Sequence, residues 1–267
     1  MMSARFTILG CGSSGGVPRI GNIWGDCDPQ NPKNRRLRCS ALIERDGPDG
    51  TTSVLIDTGP DMRQQLLNAG VSRLDGVVFT HSHADHMHGL DDLRQIVFNM
   101  RERVKVYADS ETENDLIARF GYAFVQPEGS NYPPILDLHA IRGPVTIDGP
   151  GGPVTLTPLQ VNHGQIDAKG FRVGDLAYIP DVLDIYEPTW ALMAGLDTFV
   201  IDALRYKPHP SHAHLELALQ WIERAAPRQG VLTNMHIDID YATVAEETPD
   251  HVTPAYDGMV IEITGAL

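Results

Sequence analysis

The segment from Thr80 to His86 concentrates side chains that bind metal ions. It holds His81, His83, Asp85 and His86, although the whole chain contains only 11 histidines. Imidazole nitrogen and carboxylate oxygen are the ligands of borderline cations such as zinc. Alternate residues of an extended loop face the same way, so His81 and His83 can address one ion. A turn after Ala84 would let the other two address a second ion. A loop of solvent-exposed histidines explains this density less well, and we predict a metal site.

Three further candidate ligands, His163, Asp181 and His236, are scattered along the chain. Each stands just past the end of an apolar, β-branched stretch that is typical of a strand. Taken alone, each histidine is more often a core or surface residue. Loops at strand ends, however, present ligands from a rigid scaffold to one point. We therefore expect the seven side chains to hold two divalent ions, zinc or manganese, with Asp181 able to bridge both.

Short β-branched stretches alternate with helical patterns. The sequence predicts paired strands at 41–43 and 53–56, a buried strand at 76–80 that runs into His81, and a helix near Ser110 with that serine as its N-cap. Residues 214–225 place apolar side chains on one helical face. Strands that precede helices and also pair through hairpins predict an α/β layered sandwich of two mixed sheets. One domain spanning residues 1–267 is expected.

Composition narrows the class of protein. A chain of 267 residues with 42% hydrophobic residues can build a core. No apolar stretch approaches the roughly 18 residues of a membrane span, and the N-terminus lacks a signal-peptide pattern, so a cytoplasmic protein is expected. The wide spacing of Cys11, Cys27 and Cys39 predicts reduced thiols rather than disulfides.

The charge balance limits the partners. The formal charge of −14 disfavours binding to nucleic acid, and binding to a membrane is not expected. The predicted partner is therefore a small phosphate ester or nucleotide. A homodimer is expected only because symmetric dimers are the commonest oligomers of soluble proteins. One basic cluster could be a solvated loop or a contact for substrate phosphates: Lys33, Arg35, Arg36 and Arg38.

The segment His81-Ser82-His83-Ala84-Asp85-His86 resembles the H-x-H-x-D-H signature of the metallo-β-lactamase fold superfamily. The resemblance continues in order through Ile56-Asp57-Thr58-Gly59, Asn162-His163, Pro180-Asp181 and Thr233-Asn234-Met235-His236. It implies an αββα four-layer sandwich of two mixed β-sheets flanked by helices, with the metals at one edge between the sheets.

The opening of the chain carries a narrower resemblance. The stretches 10–18 and 35–40 are similar to cyclic phosphodiesterases that hydrolyse phosphoribosyl 1,2-cyclic phosphate in the carbon–phosphorus lyase pathway. The tRNA 3′-processing endonucleases share part of it. The resemblance implies that His212 acts on the phosphate or as general acid. The other candidate substrate contacts are His214, Ser14 and Arg38. A capped helix start at Ser211, followed by solvated histidines, is the alternative for this cluster.

These observations predict a phosphodiesterase that opens a small cyclic phosphate ester by attack of a metal-bound hydroxide, with Asp85 orienting the water and His212 protonating the leaving oxygen. A tRNA 3′-processing-type nuclease and a non-catalytic metal-binding accessory protein of the same fold are the alternatives. The related phosphodiesterases often hold a structural zinc through extra cysteines. Residues 21–38 contain only Cys27, so we predict that this zinc is absent.

Overall fold

The computed structural model describes residues 4–126, 128–265 and 267. The strands are β1 (Ala4–Gly10), β2 (Ser40–Gly47), β3 (Gly50–Ile56), β4 (Gly76–Val78), β5 (Val104–Ala108), β6 (Leu136–Ala140), β7 (Val145–Ile147), β8 (Val154–His163), β9 (Ile166–Val173), β10 (Leu176–Ile179), β11 (Asp184–Ile185), β12 (Thr198–Asp202), β13 (Gln229–Thr233), β14 (Val252–Pro254) and β15 (Met259–Ile263). The helices are α1 (Met62–Ala69), α2 (Ala84–Met87), α3 (Leu93–Met100), α4 (Ser110–Phe124), α5 (Glu187–Leu192), α6 (Leu215–Ala225) and α7 (Tyr241–Glu247), with 3-10 turns at Pro32–Asn34 and Leu90–Asp92.

The strands form two mixed sheets. The first has the order β15-β1-β2-β3-β4-β5-β6, antiparallel up to β3 and parallel from there. The second has the order β11-β8-β9-β10-β12-β13-β14, with β7 paired to β8, and it becomes parallel beyond β10. Hairpins such as β2–β3 and β8–β9 lie in the antiparallel parts, and crossover connections join the parallel strands.

Side-chain alternation along the strands explains how the layers stack. In β2, Ala41 and Ile43 face the core between the sheets, whereas Leu42 faces the outer core beneath helices. The ring centroids of Phe6 on β1 and Tyr178 on β10 lie 5.3 Å apart, which joins the two sheets directly. Helices α1, α3 and α4 cover the outer face of the first sheet, and α6 packs on the second. Two mixed sheets flanked by helices confirm the expected α/β sandwich.

Local boundaries differ from the sequence predictions in three places. Strand β4 ends at Val78 rather than at residue 80, because the amide of Thr80 donates to the Asp57 carboxylate instead of a neighbouring strand (2.8 Å). The N-cap of α4 is Asp109, whose side chain accepts from the Thr112 amide, so the assignment to Ser110 was wrong. Helix α6 has His214 rather than Ser211 at its N-cap, without a side-chain cap. Among the described residues, no helix combines the length and apolar character that a membrane crossing requires.

Candidate metal centre

A buried aspartate organises the segment after β4. Asp57 follows β3 and is fully buried, and its two oxygens accept hydrogen bonds from the Thr80 amide (2.8 Å) and the Thr80 hydroxyl (2.7 Å). Its Oδ2 also lies 2.7 Å from Nδ1 of His86. Because Nδ1 is engaged by this carboxylate, Nε2 is the atom of His86 that can face a metal. Sequence reasoning assigned Asp57 no role, although it stood at the expected aspartate-glycine turn.

Three histidines from two sheets meet at the first group of potential ligand atoms. Nδ1 of His83 lies 3.0 Å from Nε2 of His81 and 3.2 Å from Nε2 of His163. His163, the last residue of β8, donates from Nδ1 to the carbonyl oxygen of Ser211 (2.6 Å), which leaves its Nε2 free as a ligand atom. The hydroxyl of Thr80 lies 3.0 Å from Nδ1 of His81. The geometry thus turns one ring nitrogen of each of the three histidines toward a common point.

Asp181 links this group to the rest of the centre. It follows β10, is buried, and belongs to two further sets of potential ligands, one with His81 and His86 and one with His163 and His212. Its Oδ2 lies 3.0 Å from Nε2 of His86. Asp85 and His86 lie in the short helix α2 that starts at Ala84, and the Asp85 carboxylate is 3.6 Å from Nε2 of His86.

Two buried polar atoms test whether these residues suit a metal ion. Nε2 of His86 lies at ion-pair distance from Oδ2 of Asp181 (3.0 Å) and of Asp85 (3.6 Å), yet within the described residues neither Nε2 of His86 nor Oδ2 of Asp181 has a hydrogen-bond partner. Buried polar atoms without partners are costly, and a cation between them would satisfy both. The His/Asp donor set is the one that divalent zinc prefers. The residues therefore fit a divalent metal ion.

Burial and charge set the protonation of the ligands. Burial lowers the pKa of His81 well below its usual range and also lowers the pKa values of His83 and His163, so these rings are neutral, as metal binding requires. Burial disfavours charge on His86 too, but the carboxylates of Asp181 and Asp57 outweigh it and hold the pKa of His86 well above its ordinary value. A metal ion bound at Nε2 of His86 would have to displace the proton that this raised pKa retains.

His212 lies beside His163 and Asp181 and is held by a buried carboxylate of its own. Its Nδ1 donates to Oδ2 of Asp202 (2.9 Å), the fully buried last residue of β12. The side-chain amide of Asn234 donates to the other Asp202 oxygen (3.2 Å) and to Asp181 (3.3 Å). Burial works to lower the pKa of His212, but the Asp202 carboxylate outweighs it and raises the pKa. Sequence reasoning missed Asp202, although a charged residue ending an apolar strand was a usable signal.

The site opens into a cavity of about 350 Å³. Its lining residues are Ser13, Ser14, Arg19, His83, Asp85, Asp181, Leu204, Arg205, His209, His212 and His236. His236 faces this cavity but stands outside the three ligand groups found among the described residues. Its Nε2 contacts the guanidinium of Arg19, and its Nδ1 lies 2.9 Å from Asp238. Among the described residues, five of the seven predicted ligands belong to these groups, Asp85 lies beside them at 3.6 Å from His86, and His236 stands on the cavity wall.

The predicted substrate contacts are distributed unevenly. Ser14 lines the cavity, whereas Arg38 donates to both oxygens of Asp61 (2.7 Å each) and does not line it. His214 is the N-cap residue of α6 and likewise lies outside the lining. Arg19 and Arg205 line the wall instead. Sequence reasoning missed both, because the position of a single arginine in the sequence does not show whether its loop folds over a cavity.

The sequence and the fold are similar to those of known proteins. A family model described as a beta-lactamase superfamily domain matches residues 52–237. The crystal structure of a new diphosphatase from the PhnP family is 34% identical, with a TM-score of 0.86 over 99% of both chains. The Zn²⁺-bound PqqB of Methylobacterium extorquens is 18% identical, with a TM-score of 0.71 over 96% of this chain and 99% of that one, which shows the fold alone.

A curated relative is longer than this chain. The octanoyltransferase of Porphyromonas gingivalis is 33% identical over 259 residues, which cover 96% of this chain and 51% of that protein. The chain therefore spans about half the length of this relative. The matched family model, the two mixed sheets and the His/Asp cluster agree, and the chain belongs to the β-lactamase superfamily, with the metallo-β-lactamase fold of its hydrolases.

Proposed function

We propose that the chain is a dinuclear metal-dependent phosphodiesterase that opens a small cyclic phosphate ester. One observation carries the proposal: His212, held by the buried Asp202, faces the same cavity as the ligands Asp85 and Asp181. The hydrogen bond from Nδ1 to Asp202 leaves Nε2 of His212 as a proton donor beside the proposed ligands, a group that hydrolysis by the metals alone would not require. The similarity to a PhnP-family diphosphatase supports phosphoester chemistry.

The ligands divide into two sets that share Asp181. The first ion would be held by His81, His83, His163 and Asp181, and the second ion by Asp85, His86, Asp181 and His236. Zinc or manganese suits these donors. Divalent ions bound there would lower the pKa of water and neutralise charge on the phosphate.

His212 is the proposed proton donor. Because its Nδ1 is bound to Asp202, the proton that it can deliver sits on Nε2, the remaining ring nitrogen. The raised pKa of His212 keeps that proton in place near neutral pH. Donation to the leaving alkoxide completes ring opening, and general acid catalysis of this kind contributes about 10²–10⁴ in rate. The tethered leaving oxygen then remains in a phosphomonoester product.

Two guanidinium groups are the proposed substrate contacts. Arg205 is oriented by its own loop, since Nε and Nη2 donate to the carbonyl oxygens of Lys207 (3.0 Å) and Pro208 (2.8 Å). Within the described part of the chain, neither Arg19 nor Arg205 has a carboxylate partner, although the chain carries 35 acidic residues. Unpaired guanidinium groups on a cavity wall are suited to phosphate oxygens. They take the place that the sequence had suggested for Arg38.

The test is a parallel assay of the zinc- and manganese-loaded chain. Its substrates are phosphoribosyl 1,2-cyclic phosphate, bis-p-nitrophenyl phosphate and a simple thioester. We expect turnover of the phosphodiesters, and loss of that turnover in His212→Ala with metal content unchanged. His214→Ala is the matched control, because His214 lies outside the cavity. Thioester cleavage without phosphodiester cleavage, or full activity of His212→Ala, would reject the proposal.

A further inference from the structure

The most deeply buried cation in the chain lies in the loop beside the cavity. Arg36 is only 1% exposed and is the largest fully buried side chain among the described residues. The sequence had offered two interpretations for its basic cluster, a solvated loop or a phosphate contact. Arg36 fits neither, because water and substrate are both excluded from it.

The guanidinium of Arg36 binds the turn that carries His236. Nη1 donates to the carbonyl oxygen of Ile239 (2.8 Å) and, more weakly, to that of His236 (3.4 Å). These two carbonyls stand at the two ends of a tight turn, which the Ile239 amide closes onto the His236 carbonyl (3.1 Å). One side chain thus fastens both ends of the turn.

The charge of Arg36 has no direct carboxylate partner among the described residues. Nη2 donates to Oδ1 of Asn34 (3.1 Å), and the Asn34 amide donates to Oδ2 of Asp240 (2.6 Å). Burial opposes ionisation of Asp240, but hydrogen bonds from the amides of Thr243 and Asp28 outweigh it and lower its pKa to about 2. Asn34 therefore connects the buried Arg36 cation to the Asp240 anion through two hydrogen bonds. Nε of Arg36 has no hydrogen-bond partner in the part of the chain that the structure describes.

The backbone of Arg36 also holds the segment that leads to Arg19 on the cavity wall. Arg36 exchanges two backbone hydrogen bonds with Val17 (2.9 Å each), two residues before Arg19. A Cβ added to Gly12 would meet Cβ of Arg36 at 2.9 Å, so the backbone of the glycine-rich loop packs tightly on this residue. A buried cation that is imperfectly paired is expensive, and a role in fixing the local geometry would account for its presence here.

We propose that Arg36 is a positioning residue: it fastens the His236 turn to the loop at residues 11–38 and thereby sets the place of His236 at the second ion. The inference rests on the proposed ligand role of His236. It does not require the proposed phosphodiesterase reaction.

The experiment compares Arg36→Met and Arg36→Lys with Arg35→Met in the full chain. Arg35 is the matched control, since it is exposed and packs over the Trp24 ring instead of the turn. His236→Ala is the reference. The readouts are amide hydrogen exchange at residues 235–239 of the metal-free chain and zinc binding by titration calorimetry with measured metal content.

We expect Arg36→Met to exchange at least about tenfold faster at 235–239. We also expect it to bind the second zinc ion about 10–100-fold more weakly, in the same direction as the weakening expected for His236→Ala, with the first ion unaffected. Arg36→Lys, which can bind one carbonyl, falls between, and it supplies the answer if Arg36→Met does not fold. Lower thermal stability with both zinc affinities unchanged would overturn the proposal. So would unchanged zinc binding in His236→Ala. Neither readout uses turnover, so failure of the phosphodiesterase assay is a separate result.

Discussion

The two sides of the candidate centre are built differently. On one side, His81, His86 and His163 are buried, and their outer ring nitrogens are engaged by Thr80, Asp57 and Ser211. On the other side, His236 is half-buried and depends on the loop at residues 11–38. The first side is fixed by the sheets themselves, whereas the second is assembled from loops. Ligands on sheet ends are therefore preorganised, and the loop side is where adjustment and specificity can reside.

The largest effect should come from Asp57→Asn. This change leaves the buried His86 and the Thr80 amide without their carboxylate. Removing one partner of a buried pair costs about 3–5 kcal/mol of unfolding free energy, and loss of the support behind a metal ligand costs about 10–100-fold in metal affinity. Urea unfolding of the metal-free chain and zinc titration measure the two effects.

Asp137→Asn is the control for that change, because Asp137 pairs with Arg103 on the surface, where both side chains are about half exposed. Exposed pairs contribute at most about 1 kcal/mol. Equal effects of the two substitutions would mean that Asp57 is not the anchor of the sheet side.

The stability of the loop side should depend on pH through the ionisation of one buried carboxyl group, Asp257. Asp257 accepts hydrogen bonds from the amides of Cys11 (3.1 Å) and Leu37 (2.7 Å), and so ties both ends of the loop together. Burial raises its pKa to about 7, despite those hydrogen bonds and the nearby Arg36. In the unfolded chain an aspartate titrates near about 3.9. Below that pH both states are protonated, and the penalty for burying the charge grows as the pH rises to about 7.

The free energy of unfolding should therefore fall between about pH 4 and pH 7 by up to about 4 kcal/mol from this group, at 1.36 kcal/mol per pKa unit. Asp257→Asn should flatten that part of the pH profile, while its stability at any single pH also reflects the altered hydrogen bonds. Urea unfolding of both chains across this range is the measurement. Parallel profiles would show that Asp257 is ionised throughout and that the loop has no such sensitivity.

Asp202→Asn should reduce kcat by about 10²-fold, within the range for a general acid. The amide keeps the size of the side chain but no longer stabilises the charged His212 ring. KM and metal content should change little, because Asp202 contacts neither the cavity nor the first ligand group. A normal kcat with a lower metal content would instead make Asp202 part of the metal support.

The sheet side of the centre was predictable from sequence, and the loop side was not. His81, His163 and Asp181 stand at the ends of apolar strands, and the geometry of a sheet edge brings such residues together. The partners of His236 and Arg38 depend on how a long irregular loop folds. Arg38 pairs with Asp61 and Arg36 is buried, whereas the more distant Arg19 reaches the cavity. No short-range period distinguishes these arginines, since each position is set by tertiary hydrogen bonds.

The smallest expected effect tests the cavity wall. Arg205→Gln removes a guanidinium whose orientation is fixed by the carbonyls of Lys207 and Pro208. Loss of one charge-assisted contact to a substrate phosphate should raise KM about tenfold, with kcat changed by less than about threefold. Arg38→Gln should leave KM unchanged, because its guanidinium is occupied by Asp61 outside the cavity. The measurement is steady-state kinetics on the cyclic phosphate. A raised KM in Arg38→Gln alone would show that Arg38, as the sequence first suggested, contacts the phosphate and that Arg205 does not.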